Sequence, residues 1–262
     1  MAAAQDDRVR FPQAADGSLA VHDEALEAAF GDASPEHFRW QTSAPGIAER
    51  ERELVQAAFL PLGQRVLDLG CGEGATLFHL GSPAGAVGVD LFPKKVAFAQ
   101  EHLPSCRFVT ASVYELPFDD GAFDHVLVRD VVHHLEEPER FVQECARVLA
   151  PGGRIDVLEP CRYNPLIAMH AALNEAERGE LRSTEPFLRS LLAGRFAPLE
   201  VARFQPMPLH RLVYHPTLGR PSLGHSEAFR SGLSRFEAFL GKVVPRAAWA
   251  YLHLRGRLRA AR

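Results

Sequence analysis

The chain has 262 residues, of which 47% are hydrophobic and 24% charged, a balance typical of a globular protein with a sizeable core. Its formal net charge of −4 argues against a general nucleic-acid binder, which usually carries a basic excess. No uninterrupted apolar stretch reaches the length of about 18 residues that a membrane-spanning helix needs, so none is predicted.

Four scattered cysteines form no C-x-x-C pair, which fits free thiols better than a disulfide framework or a zinc site. The first residues include early acids and lack the apolar core of a signal peptide. We therefore expect a cytoplasmic protein without a metal.

The first 60 residues predict a helical lead-in. Helical spacing covers residues 25–30, and Ser34 followed by Pro35 is typical of the start of a helix. A further helix is predicted over 47–59, which delivers the chain to the first strand.

Residues 65–74, RVLDLGCGEG, organise the rest of the chain. A buried parallel strand is predicted over 66–69, although the carboxylate of Asp68 is costly to bury unless something binds it. Glycines in the turn that follows permit positive φ and let a ligand approach the main chain. They alternate as Gly70, Gly72 and Gly74. This G-x-G-x-G spacing differs from the dinucleotide pattern G-x-G-x-x-G.

A second acid follows at the end of the next predicted strand, 86–90. Asp90 lies 22 positions after Asp68, and an acid about 20 residues beyond a glycine turn is placed to bind ribose hydroxyls. Two carboxylates in one cleft would repel a pyrophosphate, but they suit a ligand that carries an ammonium group and a ribose.

VLDLGCGEG followed by VGVD resembles the class I S-adenosylmethionine (SAM) methyltransferases, in their type 11, UbiE-like branch. The resemblance implies that SAM is the cofactor. It places Asp68 near the methionine amino end, the turn glycines beside the methionine and sugar, and Asp90 on the ribose diol.

The resemblance also implies an α/β, Rossmann-like fold. We expect a seven-stranded, mostly parallel sheet with an antiparallel last strand, helices on both faces and a helical cap insertion after strand five. The corresponding boundaries are 1–60 for the lid or lead-in, 61–262 for the methyltransferase domain and about 161–183 for the insertion.

Further along the chain, hydrophobic spacing predicts the remaining elements. Helices are expected at 92–103, 139–149, 164–180, 185–193 and 227–240, and strands at 106–110, 122–128, 154–159, 196–204 and 249–255. Residues 150–153 are expected to form a turn. Residues 210–224 are expected to form a loop with no recognisable motif, and no role is predicted for 205–225.

The loop at 111–118 resembles the family's adenine-contacting loop, often written G-D-A-x-x-L-P-F. Ser112 stands where an Asp commonly meets the adenine amino group, and its hydroxyl can accept one hydrogen bond without the help of charge. The resemblance also assigns the main-chain N–H of Val113 to the ring and places Leu91 on the adenine face.

Four polar residues follow the fourth predicted strand, and the carboxyl ends of parallel strands are where such folds bind ligands. They are Arg129, Asp130, His133 and His134, in a segment that resembles the family's V-L-H-H-L loop. His134 and His133 are the candidate bases, because a free imidazole titrates near working pH. For either histidine alone, a role in orienting the loop is the preferred interpretation. Arg129 offers its carbonyl to the methionine amine.

The candidate acceptor-side residues are Trp40, Asp130, Glu159 and Asn164. Trp40 lies in a segment that resembles an N-terminal lid over the cofactor, but it also suits a core anchor. Glu159 either faces the acceptor pocket or pairs with Arg162. Asn164 begins the predicted insertion, whose apolar residues suit a lipophilic acceptor or plain packing on the sheet.

The last residues permit two interpretations. Residues 249–255 alternate as an antiparallel seventh strand would. Five arginines and no acid occur over 246–262, which would also suit a basic amphipathic helix in peripheral contact with a membrane. We prefer the strand because the expected fold needs one to close the sheet.

These patterns predict methyl transfer from SAM to a small-molecule acceptor, lipophilic or a secondary metabolite, with O-methylation favoured over N- or C-methylation. The chain lacks the N-P-P-Y type motif of enzymes that methylate the amino groups of bases, so no nucleic-acid partner is expected. Two alternatives stay open: a non-catalytic SAM-binding scaffold, and a nicotinamide oxidoreductase, which the glycine spacing disfavours. Oligomeric state is not predicted.

Overall fold

A computed structural model describes residues 24–260. The helices are α1 (Glu24–Phe30), α2 (Pro35–Ser43), α3 (Ala48–Phe59), α4 (Ala75–His79), α5 (Pro93–His102), α6 (Pro138–Val148), α7 (Pro165–Leu173), α8 (Glu185–Ala193), α9 (Leu209–Val213) and α10 (Glu227–Val243). The strands are β1 (Val66–Leu69), β2 (Val87–Asp90), β3 (Arg107–Thr110), β4 (Phe123–Arg129), β5 (Leu149–Pro160), β6 (Phe196–Phe204) and β7 (Tyr251–Leu258). Short 3₁₀ segments lie at Val132–His134, Glu175–Arg182, Pro221–His225 and Arg246–Ala248.

The seven strands form one sheet in the order β3-β2-β1-β4-β5-β7-β6. Strands β1 to β5 pair in parallel, and β7 is antiparallel to both β5 and β6. The predicted fold class is therefore confirmed. Because β1 lies between β2 and β4, the glycine turn that follows it opens at the middle of the carboxyl edge, where ligands bind in such sheets.

Alternation along the strands divides the core between the two faces of the sheet. Leu67 and Leu69 pack in one buried cluster with residues of α6 and α8, whereas Val66 and Leu127 pack in the other with residues of α3 and α4. Successive side chains of a strand point to opposite faces, so Asp68 shares the face of Val66. Both faces are covered by helices, as expected.

The N-terminal helices lie against the glycine turn. The Ser34 hydroxyl caps α2 by accepting a hydrogen bond from the His37 N–H, as the sequence predicts. The main-chain N–H of Ser34 also donates to Oε1 of Glu73, which sits within the turn, at 2.9 Å. Buried Phe38 packs edge-on against Phe78 of α4. These contacts place α2 beside the start of α4.

The single helix predicted over 164–180 is wrong. The helix α7 ends at Leu173, Asn174 adopts an extended conformation, and a 3₁₀ segment continues to Arg182. A tertiary contact explains the change, because a Cβ at Gly179 would lie only 1.8 Å from the carbonyl oxygen of His133. The segment is shaped by its close approach to the loop after β4.

Two further predictions need correction, and a third is confirmed. Strand β5 begins at Leu149 rather than at 154, and the expected turn over 150–153 is a register shift within the strand, with Gly152 at φ +73°. The segment 205–225 contains α9 and a 3₁₀ turn. The preferred seventh strand is confirmed, since residues 251–258 form the antiparallel β7, and the helical alternative for the tail is wrong there. Within the described ranges, every helix is too short or too polar to cross a membrane.

Candidate cofactor and acceptor site

A cavity of about 1600 Å³ opens at the carboxyl edge of the sheet, bounded by the glycine turn, the loop after β4, α2 and the segments around α7 and α9. Pockets for one small ligand are typically about 300–1,000 Å³. This cavity therefore has room for a cofactor and an acceptor side by side.

The glycine turn forms one wall of the cavity. The N–H groups of Gly70 and Cys71 donate to the carbonyl of Val89 at 2.8 and 2.9 Å, which ties the turn to β2. Gly72 has φ +52°, and a Cβ there would meet no atom within 4 Å, so the space in front of it belongs to the cavity. At Gly74 a Cβ would lie 2.6 Å from Leu103 Cδ1. Gly74 does not line the cavity, and its φ of +88° together with this close contact explains the glycine.

Asp90 lines the cavity at the end of β2. Its Oδ2 accepts a hydrogen bond from the Gly72 N–H at 2.8 Å, and its Oδ1 accepts one from the Phe92 N–H at 3.0 Å. Burial raises the pKa of this carboxyl above its usual value, although both hydrogen bonds oppose the shift. Each oxygen has further acceptor capacity, so the rigidly held carboxylate suits the two hydroxyls of a ribose.

Asp68 lies beneath the cavity wall rather than in it, 1% exposed. Its Oδ2 has no hydrogen-bond partner among residues 24–260. Burial raises the pKa of Asp68 to about 8, against the influence of Arg129. A buried acceptor without a donor is costly, and a cationic group of a ligand would satisfy it. Together with the space at Gly72, this carboxyl fits a SAM cofactor.

The predicted adenine-side residues Leu91, Ser112 and Val113 all line the cavity. The Ser112 hydroxyl already accepts a hydrogen bond from the Tyr114 N–H at 3.2 Å. The Tyr114 hydroxyl in turn accepts bonds from the N–H groups of Glu136 and Glu137. This tyrosine therefore joins the adenine-side loop to the loop after β4.

The side chain of Arg129 has a structural role that sequence reasoning missed. Its Nη2 donates to Oε2 of Glu51 at 2.5 Å, and Arg211 Nη2 donates to Oε1 of the same carboxylate at 2.6 Å. Glu51 is fully buried, and although burial acts to raise its pKa, the two arginines lower it to about 2. Glu51 on α3 looks like a solvated helix residue in sequence, so nothing there indicated the ion pair.

His133 is held in one orientation by buried Glu159. Its Nδ1 lies 2.8 Å from Glu159 Oε2, while Glu159 Oε1 accepts the N–H groups of Val131 and Val132. On the other side, His133 Nε2 lies 3.2 Å from Oε2 of Glu177. Burial acts to lower the pKa of His133, but Glu159 and Glu177 raise it to about 10. His133 is therefore an imidazolium at neutral pH.

His134 differs from His133 in its charge state. It lines the cavity beside the ring of Phe30, and burial together with the charge of His133 lowers its pKa to about 4. Its imidazole is therefore neutral at pH 7. Possible ligand atoms of His133, His134 and Glu177 lie within 4.8 Å of one another, so the expectation of no metal stays a prediction.

Two of the four acceptor-side candidates line the cavity. Trp40 is partly buried there, and its Nε1 donates to the Tyr214 carbonyl at 3.2 Å. Its side chain therefore lines the cavity and also links α2 to the end of α9. Asp130 takes φ +55°, and burial raises its pKa to about 6.

Glu159 and Asn164 do not line the cavity, which corrects the prediction for both. Each is fully buried. The carboxylate of Glu159 accepts hydrogen bonds from the loop after β4 and does not pair with Arg162. Asn164 accepts hydrogen bonds from the first turn of α7 and donates to the carbonyls of Pro206 and Ala248. Other wall residues carried no signal in the sequence, namely His170, Glu177, Glu180, Arg211 and Tyr251.

Comparisons with known proteins point to one family. A family profile described as "Methyltransferase domain" matches residues 67–156. Demethylmenaquinone methyltransferase of Thermus thermophilus is 34% identical over 152 residues, which cover 55% of this chain and 67% of the relative. Tocopherol O-methyltransferase of Arabidopsis thaliana is 36% identical over 126 residues, which cover 45% of this chain and 36% of the relative.

A solved structure supports the fold. Phosphoethanolamine N-methyltransferase 2 of Haemonchus contortus, in complex with SAM, superposes with a TM-score of 0.61 at 18% identity, over 94% of this chain and 61% of that one. Matches to the curated relatives named above span from about a third to two thirds of their length. The glycine turn, the two acids and these similarities together show that the chain belongs to the class I, type 11 family of SAM-dependent small-molecule methyltransferases, with SAM as its cofactor.

Proposed function

We propose that the protein transfers a methyl group from SAM to a hydroxyl of a small lipophilic acceptor. The observation that carries this proposal is the neutral imidazole of His134 in the same cavity wall that holds the glycine turn and Asp90. SAM, when bound, supplies a methyl group that is already activated on a sulfonium. The protein's own task is then to position the acceptor and to accept its proton.

On the cofactor side, each residue has a role that its surroundings support. Asp90, fixed by two main-chain N–H groups, would hold the ribose hydroxyls, and Gly72 would leave room for the sugar. The unpartnered Oδ2 of Asp68 would attract the amino group, together with the Arg129 carbonyl. Leu91, Ser112 and Val113 would contact the adenine. Asp130 and Trp40 would lie at the junction with the acceptor.

The state of the two histidines favours a hydroxyl acceptor. A hydroxyl loses its proton as it attacks, so it benefits from a nearby neutral base, whereas an amine in its neutral form attacks through its own lone pair and loses a proton only afterwards. The carboxylates of Glu159 and Glu177 keep the proton of the pair on His133, and this charge helps to keep His134 neutral. His134 would act as the base and His133 as the residue that maintains its charge state.

The far wall of the cavity favours a lipophilic acceptor. It is formed by apolar side chains of α7, α9 and the segment that follows, namely Leu166, Ile167, Leu212, Pro216 and Leu218. The cations Arg129 and Arg211 share the carboxylate of Glu51, and Arg129 also pairs with Asp130, so two acids balance the two cations and little positive charge is left for an anionic acceptor. Relatives include proteins named as O- and as N-methyltransferases, so the choice rests on the histidines and the wall.

The test combines binding with turnover. Calorimetric titration with S-adenosylhomocysteine should show binding that Asp90→Ala abolishes, while Asp120→Ala, an exposed acid of the turn before β4, binds like wild type. Incubation with SAM and a panel of apolar phenols and alcohols, read by mass spectrometry, should give methylated products. Binding without any product would favour a SAM-binding scaffold, and products only from amines would overturn the hydroxyl assignment.

A further inference from the structure

Helix α10 carries an apolar stripe that remains uncovered in the described part of the chain. Its members share one face of the helix, since three are spaced by seven residues and the fourth lies between them. They are Phe229, Phe236, Phe239 and Val243, here called the α10 stripe. The last three each expose more than half of their surface, and Phe229 exposes about a third. Three exposed phenylalanines on one helix face indicate an interaction surface.

The orientation of α10 is fixed by polar contacts on its opposite face. Glu237 is buried, and its carboxylate accepts hydrogen bonds from Arg50 and from both the main chain and the ring of His210. Arg50 also donates to the Ser234 hydroxyl at 2.8 Å. These contacts hold the inner face against α3 and α9, so the α10 stripe must point away from the protein.

The charges beside the α10 stripe are all positive. Arg235 and Lys242 are exposed and border one edge of the stripe, and neither pairs with a carboxylate among the residues that the structure describes. The two acids of the helix, Glu227 and Glu237, fall on the other half of its circumference. An apolar stripe with a basic edge is the pattern of a helix that lies in a membrane interface.

The α10 stripe begins beside the rim of the cavity. The ring of Phe229 contacts the ring of Tyr214 at 6.3 Å between centroids. The residues that follow Tyr214 line the cavity, and among them Leu218 exposes most of its surface. The α10 stripe therefore begins close to the segment that forms part of the acceptor wall.

We propose that the α10 stripe docks the protein on the surface of an anionic lipid bilayer. The phenylalanine rings would enter the boundary between headgroups and acyl chains, while Arg235 and Lys242 would meet lipid phosphates. A second copy of the chain fits the surface less well. Two such faces brought together would place like charges near each other, with no acid on this half of the helix to neutralise them.

The test is co-sedimentation of the full chain with vesicles of equal parts phosphatidylglycerol and phosphatidylcholine, without SAM or acceptor. Wild type should bind, and Phe236→Glu with Phe239→Glu should lower the bound fraction about tenfold or more. Arg235→Glu with Lys242→Glu should weaken binding to a similar degree. The matched control is Leu173→Glu, an exposed leucine at the end of α7 that should bind like wild type.

Three results would overturn the proposal. Wild type could remain in solution with these vesicles, or Leu173→Glu could lose binding as fully as the double phenylalanine variant. Alternatively, light scattering could show that wild type is a dimer and the double phenylalanine variant a monomer, while neither protein binds the vesicles. Titration with S-adenosylhomocysteine would verify that each variant is folded. Because no methyl transfer is measured, failure here leaves the proposed activity untouched.

Discussion

His133 and Glu159 form a buried pair across the ends of β4 and β5, with Nδ1 2.8 Å from Oε2. Since the carboxylate can only accept, Nδ1 must carry a proton and Nε2 must face Glu177. Glu159 also accepts the N–H groups of Val131, Val132 and His133. One carboxylate thus fixes the whole turn that presents His134 to the cavity.

His134→Ala should lower kcat by roughly 10²–10⁴-fold, because the acceptor loses its base. Affinity for S-adenosylhomocysteine should change little, since Gly72, Asp90 and Ser112 follow or end other strands, and the contact assigned to Arg129 comes from its main chain. The measurement is steady-state turnover beside calorimetric titration. His225→Ala, an exposed histidine of a 3₁₀ turn, serves as the control. Turnover that survives intact in His134→Ala would leave this residue only a structural role.

The acid side of the rate profile should respond to His133. Activity requires neutral His134, so the rate should fall only as the pH drops towards about 4, the pKa that burial and His133 impose. His133→Asn removes the neighbouring positive charge, so the pKa of His134 should rise and the acid limb should move to higher pH. If the acid limb of the kcat profile stays at the same pH in His133→Asn, the proposed coupling of the two histidines is contradicted.

Gly72→Ala should mainly lower cofactor affinity, whereas Gly74→Ala should mainly lower stability. Both glycines have positive φ, which costs an alanine about 1–2 kcal/mol. At Gly72 the new methyl meets only the cavity, so cofactor affinity should drop while the protein stays folded. At Gly74 it also collides with Leu103, so the free energy of unfolding should fall by about 2–5 kcal/mol. Urea unfolding and calorimetry distinguish the two outcomes.

Binding of the cofactor should release a proton from Asp68. Its pKa of about 8 leaves it mostly protonated at pH 7, and an ammonium group of the ligand would favour the ionised form. Affinity should therefore rise between pH 6 and pH 7.5, below the range in which an α-amino group titrates, at about 7.7–8.0. Calorimetry in buffers of different ionisation enthalpy measures the release directly. Asp68→Asn should bind weakly with no such dependence; a wild type that releases no proton would refute the assignment.

Glu51→Ala should destabilise the fold by about 3–5 kcal/mol at neutral pH, because it leaves two arginines without their buried partner. The pKa of Glu51 falls from 4.5 to about 2 on folding, so its contribution is complete above pH 4.5 and is lost as pH falls towards 2. The difference from wild type should shrink over that window in thermal unfolding. Glu53→Ala, exposed on the same helix, should cost little.

The sequence by itself determined the parallel strands β1 to β5 and the cofactor side of the site at their carboxyl ends. Strands such as Val66–Leu69 and Val87–Asp90 appear as short apolar runs, and a glycine turn followed by an acid at the next strand end is a local pattern. These features depend on spacing along the chain. The same is true of the Ser34 cap, whose partner lies three residues away.

Only the tertiary structure decided the acceptor side. The contacts of Glu159 with His133, and of Glu51 with Arg129 and Arg211, join residues 26 to 160 positions apart. A carboxylate that is buried between distant segments looks the same in sequence as one on a solvated face. The break at Asn174 likewise follows from the approach of Gly179 to His133. Spacing rules describe neighbours on one element, whereas burial and charge state depend on which elements meet.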